Sequence, residues 1–206
     1  MKILLLGATG RVGTHILDLL LEKNHEVKVL VRDEQKISIQ HPLLTVLKGN
    51  ALDFADLKKA INDVDGVISA LNTDNNNTLS TSMKLLVPLL EQVHIQRIVT
   101  IGTAGILQSR VEPQTLRYLS SESQRKSTTA AADHEKAFHV LDASQLVWTI
   151  VCPTYLPDGA ITKNYRVSEN FLPSEGKSIT TGDTAHFAVN EFFEQQYKQT
   201  RVGISY

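Results

Sequence analysis

The chain has 206 residues, of which 42% are hydrophobic and 21% charged, with a net charge of −1. That near-neutral balance gives no electrostatic basis for a nucleic-acid or anionic-membrane partner, and no apolar run approaches the roughly 18 residues needed to span a bilayer. A lone cysteine, Cys152, rules out an internal disulfide framework and points to a reducing, cytoplasmic setting.

The first residues, MKILLLG, begin like a secretory leader, but the apolar run is too short and no small-residue cleavage site follows. Residues 3–6 therefore read as a buried strand. Glycines follow, then a helical pattern that puts Val12, Ile16, Leu19 and Leu20 on one face, then a second apolar run at 27–31. This is a strand–turn–helix–strand unit. The cycle repeats: strand 43–47, helix 53–61, strand 67–70, helix 79–93 with Pro88 expected to kink it, and strand 97–101. A helix within 123–143 and a strand at 147–151, closed by Cys152 and Pro153, complete the series. Strands with so little alternation are buried on both faces, as in parallel sheets, and the alternation of strand and helix predicts a doubly wound α/β sheet.

After Pro153 the rhythm changes. Pro157, Gly159, Pro173 and Gly176 break an irregular stretch, Asp183 reads as the N-cap of a helix running to about Tyr197, and residues 202–205 read as a last strand. At this length the chain is expected to form one domain over 1–206, with 154–206 making a small substrate-side lobe. Two polar stretches read as surface: a loop at 74–77, which overlaps the glycosylation-type triplet Asn76-Asn77-Thr78, and a mobile loop at 120–129. For a cytoplasmic protein the triplet carries no weight.

The run Gly7-Ala8-Thr9-Gly10-Arg11-Val12-Gly13 lies directly between the first strand and the first helix. A phosphate-binding turn of this kind needs one glycine for an unusual backbone angle, one where pyrophosphate approaches the main chain, and one where helix and strand pack closely. The helix N-terminus then presents free N–H groups and a positive dipole end to the phosphates. A second signal stands at the end of the next strand. An acidic residue there favours NAD through the ribose hydroxyl. Here the strand ends in Arg32, 19 positions after Gly13. A guanidinium grips a 2′-phosphate in a bidentate way, which favours NADPH over NADH. Asp33 follows and is a competing ligand for the ribose. Asn50, in Gly49-Asn50-Ala51 after the third strand, is placed to reach adenine with both donor and acceptor groups.

Together these residues make the chain resemble the atypical short-chain dehydrogenase/reductases, in particular the flavin reductase/biliverdin reductase B type and its bacterial NAD(P)H-binding relatives. The likeness runs through GATGRVG, LVRD at 30–33, GNALDFADL at 49–57, VISALNT, RIVTIGTAG, DHEKAFHVL, LVWTIVCP and GDTAHFAV. It implies a Rossmann-type, mostly parallel sheet. It also implies that Gly7, Thr9, Gly10, Arg11, Val12 and Gly13 meet the pyrophosphate, Arg32 the 2′-phosphate, and Asn50 and Ala51 the adenine. Ala70, Leu71 and Asn72 would lie along the cofactor, Thr103 beside the nicotinamide, and Pro153, Thr154 and Tyr155 around the nicotinamide and substrate. The family more often has Asp at position 50, and the biliverdin reductase has His at position 155.

No tyrosine is followed four residues later by lysine: Tyr118, Tyr155, Tyr165 and Tyr197 are followed there by Glu122, Gly159, Glu169 and Arg201, and Tyr206 is the last residue. The dyad that protonates carbonyls in dehydrogenases is therefore missing. By the same resemblance His134 falls where the family's lysine stands, and it is the candidate proton-handling group. Thr103, His134 and Tyr155 are the candidate catalytic residues. No histidine or cysteine spacing suits zinc, no Gly-x-Ser-x-Gly nucleophile elbow is present, and Cys152 reads as a core thiol. The expected activity is NADPH-dependent reduction of a flavin, tetrapyrrole or quinone-like acceptor. Two alternatives stand beside it: a non-catalytic NADP(H)-sensing regulator resembling NmrA-like proteins, and an epimerase or dehydratase.

Overall fold

The computed structural model describes residues 1–74, 77–123 and 127–206. Asn76 of the glycosylation-type triplet and residues 124–126 of the polar run lie outside the described residues. Within that run Ser120 is buried. The elements follow in the order β1 (Lys2–Leu6), α1 (Arg11–Glu22), β2 (Glu26–Val31), β3 (Leu44–Lys48), α2 (Phe54–Ala60), β4 (Gly66–Ser69) and α3 (Thr78–Gln92). They continue with β5 (Arg97–Ile101), α4 (Thr129–Asp142), β6 (Val147–Pro153), β7 (Arg166–Glu169), α5 (Thr181–Glu194) and β8 (Thr200–Ser205).

The described residues form one eight-stranded sheet ordered β3-β2-β1-β4-β5-β6-β8-β7, parallel except for β7. The order reverses between β1 and β4, and in such sheets ligands bind at that crevice, beyond the carboxyl ends of the strands. Period-2 geometry sends alternate residues of β1 to opposite faces. Leu4 and Leu6 join the core under α2, α3 and α4, while Ile3 and Leu5 join the core under α1 and α5. All five residues of β5 are buried, which is why these strands read as unbroken apolar runs.

The buried stripe of α1 is Val12, Gly13, Ile16, Leu17, Leu20 and Leu21, and the half-buried Leu19 packs against the same core, as expected. Two other local expectations are corrected. The irregular stretch after Pro153 holds a strand, β7, which pairs antiparallel with β8. Asp183 is not the N-cap of α5. Thr180 is, its side chain accepting from the Asp183 N–H. α3 runs unbroken through Pro88.

The Asp183 carboxylate has a different task. It is buried and accepts from the Thr162 and Lys163 N–H groups, the Thr162 hydroxyl and the Tyr206 hydroxyl at 2.6 to 2.8 Å, pinning the loop after β6 to α5. Burial pushes this carboxyl up, but the hydrogen bonds outweigh it and hold the group below its ordinary value. A carboxylate whose folded pKa is depressed adds stability that is present above its unfolded value, near 4, and is lost as pH falls through the folded value. Wild type is therefore expected to lose more Tm between pH 5 and pH 3 than Asp183→Asn, which starts lower. Parallel acid limbs in thermal melts would contradict this assignment.

Candidate cofactor groove and its surroundings

The turn from β1 into α1 is built around its glycines. Gly7 adopts φ +78°, and a Cβ there would lie 2.4 Å from the Ala70 carbonyl oxygen. Gly13 lies in the first turn of α1, where a Cβ would come within 2.0 Å of the Gly7 carbonyl oxygen. Gly10 closes the turn, its N–H donating to the Gly7 carbonyl at 3.0 Å. It is also the N-cap residue of α1 and has no side chain, so no side-chain hydrogen bond caps the first amides of α1.

Beside this turn lies a groove of about 250 Å³ at the β1/β4 crevice. Of the residues singled out from the sequence, Gly7, Thr9, Gly10, Arg32, Asn50, Ala51, Ala70, Leu71 and Asn72 line it. Leu30, Val31, Gly49, Leu52, Asp74 and Thr78 complete the walls. Arg32 is exposed at the end of β2. Asp33, its acidic neighbour, is exposed and does not line the groove. Its carboxylate accepts from the Gln35 N–H at 3.1 Å and caps a short 3-10 turn. The Asn50 amide oxygen accepts from the Leu52 N–H at 3.0 Å, while the Asn50 N–H donates to Asp56 at 2.8 Å, so the adenine-side turn is preset.

Other predicted residues stand elsewhere. Val12 is 8% exposed, its side chain in the core, and it can reach a phosphate only through its main chain. Gly13 is covered by Gly7. The Arg11 guanidinium does not lie in the groove. It spans to the loop after β6, donating to the Leu156 carbonyl at 3.0 Å and pairing with Asp158 at 3.1 Å. Both partners of that pair are well exposed, and such a tie is weak enough to exchange.

The three candidate catalytic residues do not line the groove. Thr103 and Pro153 are buried at the ends of the paired strands β5 and β6, where the Gly102 N–H donates to the Val151 carbonyl at 2.7 Å. The Thr103 side chain accepts from the Gly105 N–H and caps a 3-10 turn at Ala104–Ile106. Thr154 is half-buried, and Tyr155 is 72% exposed. His134 is half-buried on α4. Cys152 is fully buried, which pushes its thiol up to about 12 and keeps it unreactive. Among the described residues no cluster could hold a metal ion, and no helix is long and apolar enough to cross a membrane.

One contact at the groove had no local signal in the sequence. α3 begins after Asn77, which is left-handed at φ +56° and whose side chain makes no cap. The buried Asp133 of α4 serves instead, accepting from the Leu79 and Ser80 N–H groups at 3.1 Å each.

A family model for NAD(P)H-binding proteins matches residues 7–195, from the first glycine of the turn to the end of α5. The chain belongs to the NAD(P)H-binding family. Across nearly its full length it is similar to the uncharacterized Bacillus subtilis protein YwnB, 24% identical with 98% of this chain and 96% of the relative covered. Among solved structures it is similar to a Streptococcus pneumoniae protein provisionally assigned as an NADH-flavin reductase. The TM-score is 0.85 at 24% identity, covering 100% and 99% of the two chains. A Veillonella parvula short-chain dehydrogenase/reductase in complex with NADP matches with a TM-score of 0.79 at 18% identity, covering 100% and 94%. At these identities the structural matches establish the fold. With the family in hand, the glycine turn, the uncapped start of α1 and the groove beside them suit a dinucleotide.

Proposed function

We propose that the protein is an NADPH-dependent reductase of a planar conjugated acceptor of the flavin type. The observation that carries the choice of NADPH is that Arg32, an exposed cation, lines the groove, whereas the neighbouring Asp33 does not and caps its own 3-10 turn. A guanidinium there favours the 2′-phosphate and disfavours nothing else in the cofactor.

When bound, NADPH supplies a hydride. The chain's part is to orient. The uncapped first amides of α1 would hold the pyrophosphate, and the ends of β5 and β6, with Thr103 and Pro153, would flank the reactive ring. Tyr155, exposed beyond β6, offers a flat face against which a planar acceptor stacks. The absent tyrosine–lysine dyad tells against carbonyl chemistry and not against flavin reduction, which needs alignment of two rings more than a strong protein acid. The flavin reductase assignment of the Streptococcus relative points the same way.

The test is absorbance at the reduced-nicotinamide band with purified protein, NADPH or NADH, and FMN, FAD or biliverdin. Protein-dependent decay with NADPH is expected. Cofactor binding by calorimetry without decay on any acceptor would overturn the reductase reading in favour of an NADP(H) sensor. In the same assay Arg32→Ala is expected to weaken NADPH by about 1.5 to 3 kcal/mol, the loss of a charge-assisted phosphate contact, and to leave NADH unchanged. An equal loss for both cofactors would show that Arg32 does not meet the 2′-phosphate.

A further inference from the structure

We propose that Asp133 and Lys136 of α4 are positioning residues that set cofactor affinity without touching the cofactor. The proposal rests on reading the groove as the NADPH site. An N-cap side chain normally accepts from the second or third amide of its helix. In α3 those amides belong to Leu79 and Ser80, and both are taken by the carboxylate of Asp133 from a different helix. The local candidate, Asn77, is diverted: its amide oxygen accepts from Lys136 Nζ at 3.0 Å. α4 thus grips the start of α3 at two points, one turn apart on its own surface.

What α3 starts with is a wall of the groove. Thr78, its first residue, lines the groove together with Asp74. The Thr78 hydroxyl donates to the Asp74 carboxylate, joining the two wall residues. If Asp133 lets go, two amides lose their acceptor, the first turn of α3 frays, and the wall formed by Asp74 and Thr78 moves with it. The binding-competent fraction falls, and apparent affinity falls by that fraction. Because Asp133 also sits next to His134 in sequence, the helix that the family resemblance assigns to the acceptor side is the one that shapes the cofactor side.

Asp133→Ala is expected to raise the Kd of NADPH and of NADH by the same factor, about fivefold, the shift that accompanies loss of one helix cap. Asp133→Asn, which keeps one accepting oxygen, is expected to fall between wild type and alanine, and Lys136→Ala to give a smaller rise. The NADPH-to-NADH ratio stays at the wild-type value, unlike Arg32→Ala, which changes the ratio. Folded variants with a lowered Tm but unchanged Kd values would reduce Asp133 to a purely structural cap and overturn the proposal. Should the variants fail to fold, hydrogen exchange on the wild type decides. NADPH is expected to slow exchange at the Leu79 and Ser80 amides, and no change there would overturn it equally. A wild type that binds NADPH well while the Asp133 variants bind it as well removes only this proposal. A wild type that binds neither cofactor removes the groove assignment with it.

Discussion

Gly13→Ala is expected to abolish measurable cofactor binding and to lower Tm by about 2 to 12 °C. The added Cβ would stand 2.0 Å from the Gly7 carbonyl oxygen, 2.8 Å from the Gly7 carbonyl carbon and 3.0 Å from Ala8 Cα. All three are backbone atoms, so no side-chain rotation relieves the clash. Either α1 lifts off the turn or the turn opens. The helix is held by a buried stripe from Val12 to Leu21 and packs on α5, so lifting it disrupts the core that joins them. Overpacking of this kind costs about 1 to 3 kcal/mol or more, and in a domain of this size each kcal/mol moves Tm by about 2 to 4 °C. Opening the turn moves the Gly7 carbonyl and the amides that follow it. A misplacement of about 1 Å in a positioned site costs on the order of a hundredfold. The measurement is a pair of thermal melts with and without NADPH. Wild type is expected to gain about 2.7 kcal/mol at a cofactor concentration a hundred times Kd, and the variant nothing. A variant that melts and binds like wild type would mean that α1 does not approach the turn as closely as described.

The second large effect lies at the other end of the sheet. Arg97 and Glu191 form an ion pair at 3.0 Å with side-chain exposures of 6% and 1%. Arg97 Nη1 also donates to the Val147 carbonyl and the Thr149 hydroxyl, and its Nε to the Phe192 carbonyl. The Glu191 carboxylate accepts in addition from the Thr149 hydroxyl and from the Gln196 and Tyr197 N–H groups. The cluster ties the first residues of β5 and β6 to the end of α5. Glu191→Ala leaves a buried guanidinium without its counter-charge and strips an acceptor from three donors. Removing one partner of such a pair costs about 3 to 5 kcal/mol. A Tm decrease of about 6 to 20 °C is expected. Glu191→Gln, which retains an accepting oxygen, is expected to lose less. Because Arg97 begins β5 and the groove lies past the carboxyl ends of the strands, the Kd for NADPH below the melting range is expected to stay at the wild-type value. A Glu191→Ala variant of unchanged Tm would show that the pair contributes nothing net.

The contrast between these sites marks how far the sequence could be read. The glycine turn was legible because its requirements are local: a strand end, a backbone angle, a close approach and a helix start all fall within seven consecutive residues. Arg32 and Asn50 were legible as groove residues for the same reason, each lying just past the end of a recognisable strand, β2 and β3. The α5 cap was misread because Asp183 and Thr180 both carry capping groups, and only the packed loop at Thr162 and Lys163 decides which carboxylate or hydroxyl is drawn away. Strand β7 was hidden because it is short, has no fully buried residue to mark a core face and gains its partners only from β8, 30 or more residues later.

By itself, then, the sequence determined the alternation of strands and helices, the doubly wound class and the glycine turn between β1 and α1, since hydrophobic period and glycine spacing act over a few residues. Only the tertiary structure decided that Arg11 reaches Asp158, that Asp33 caps its own 3-10 turn, that Asp133 caps a helix begun 55 positions earlier at Thr78, and that Arg97 meets Glu191. Those partners are chosen by which polar groups are left unsatisfied once the helices pack, and burial makes an unsatisfied group too costly to leave.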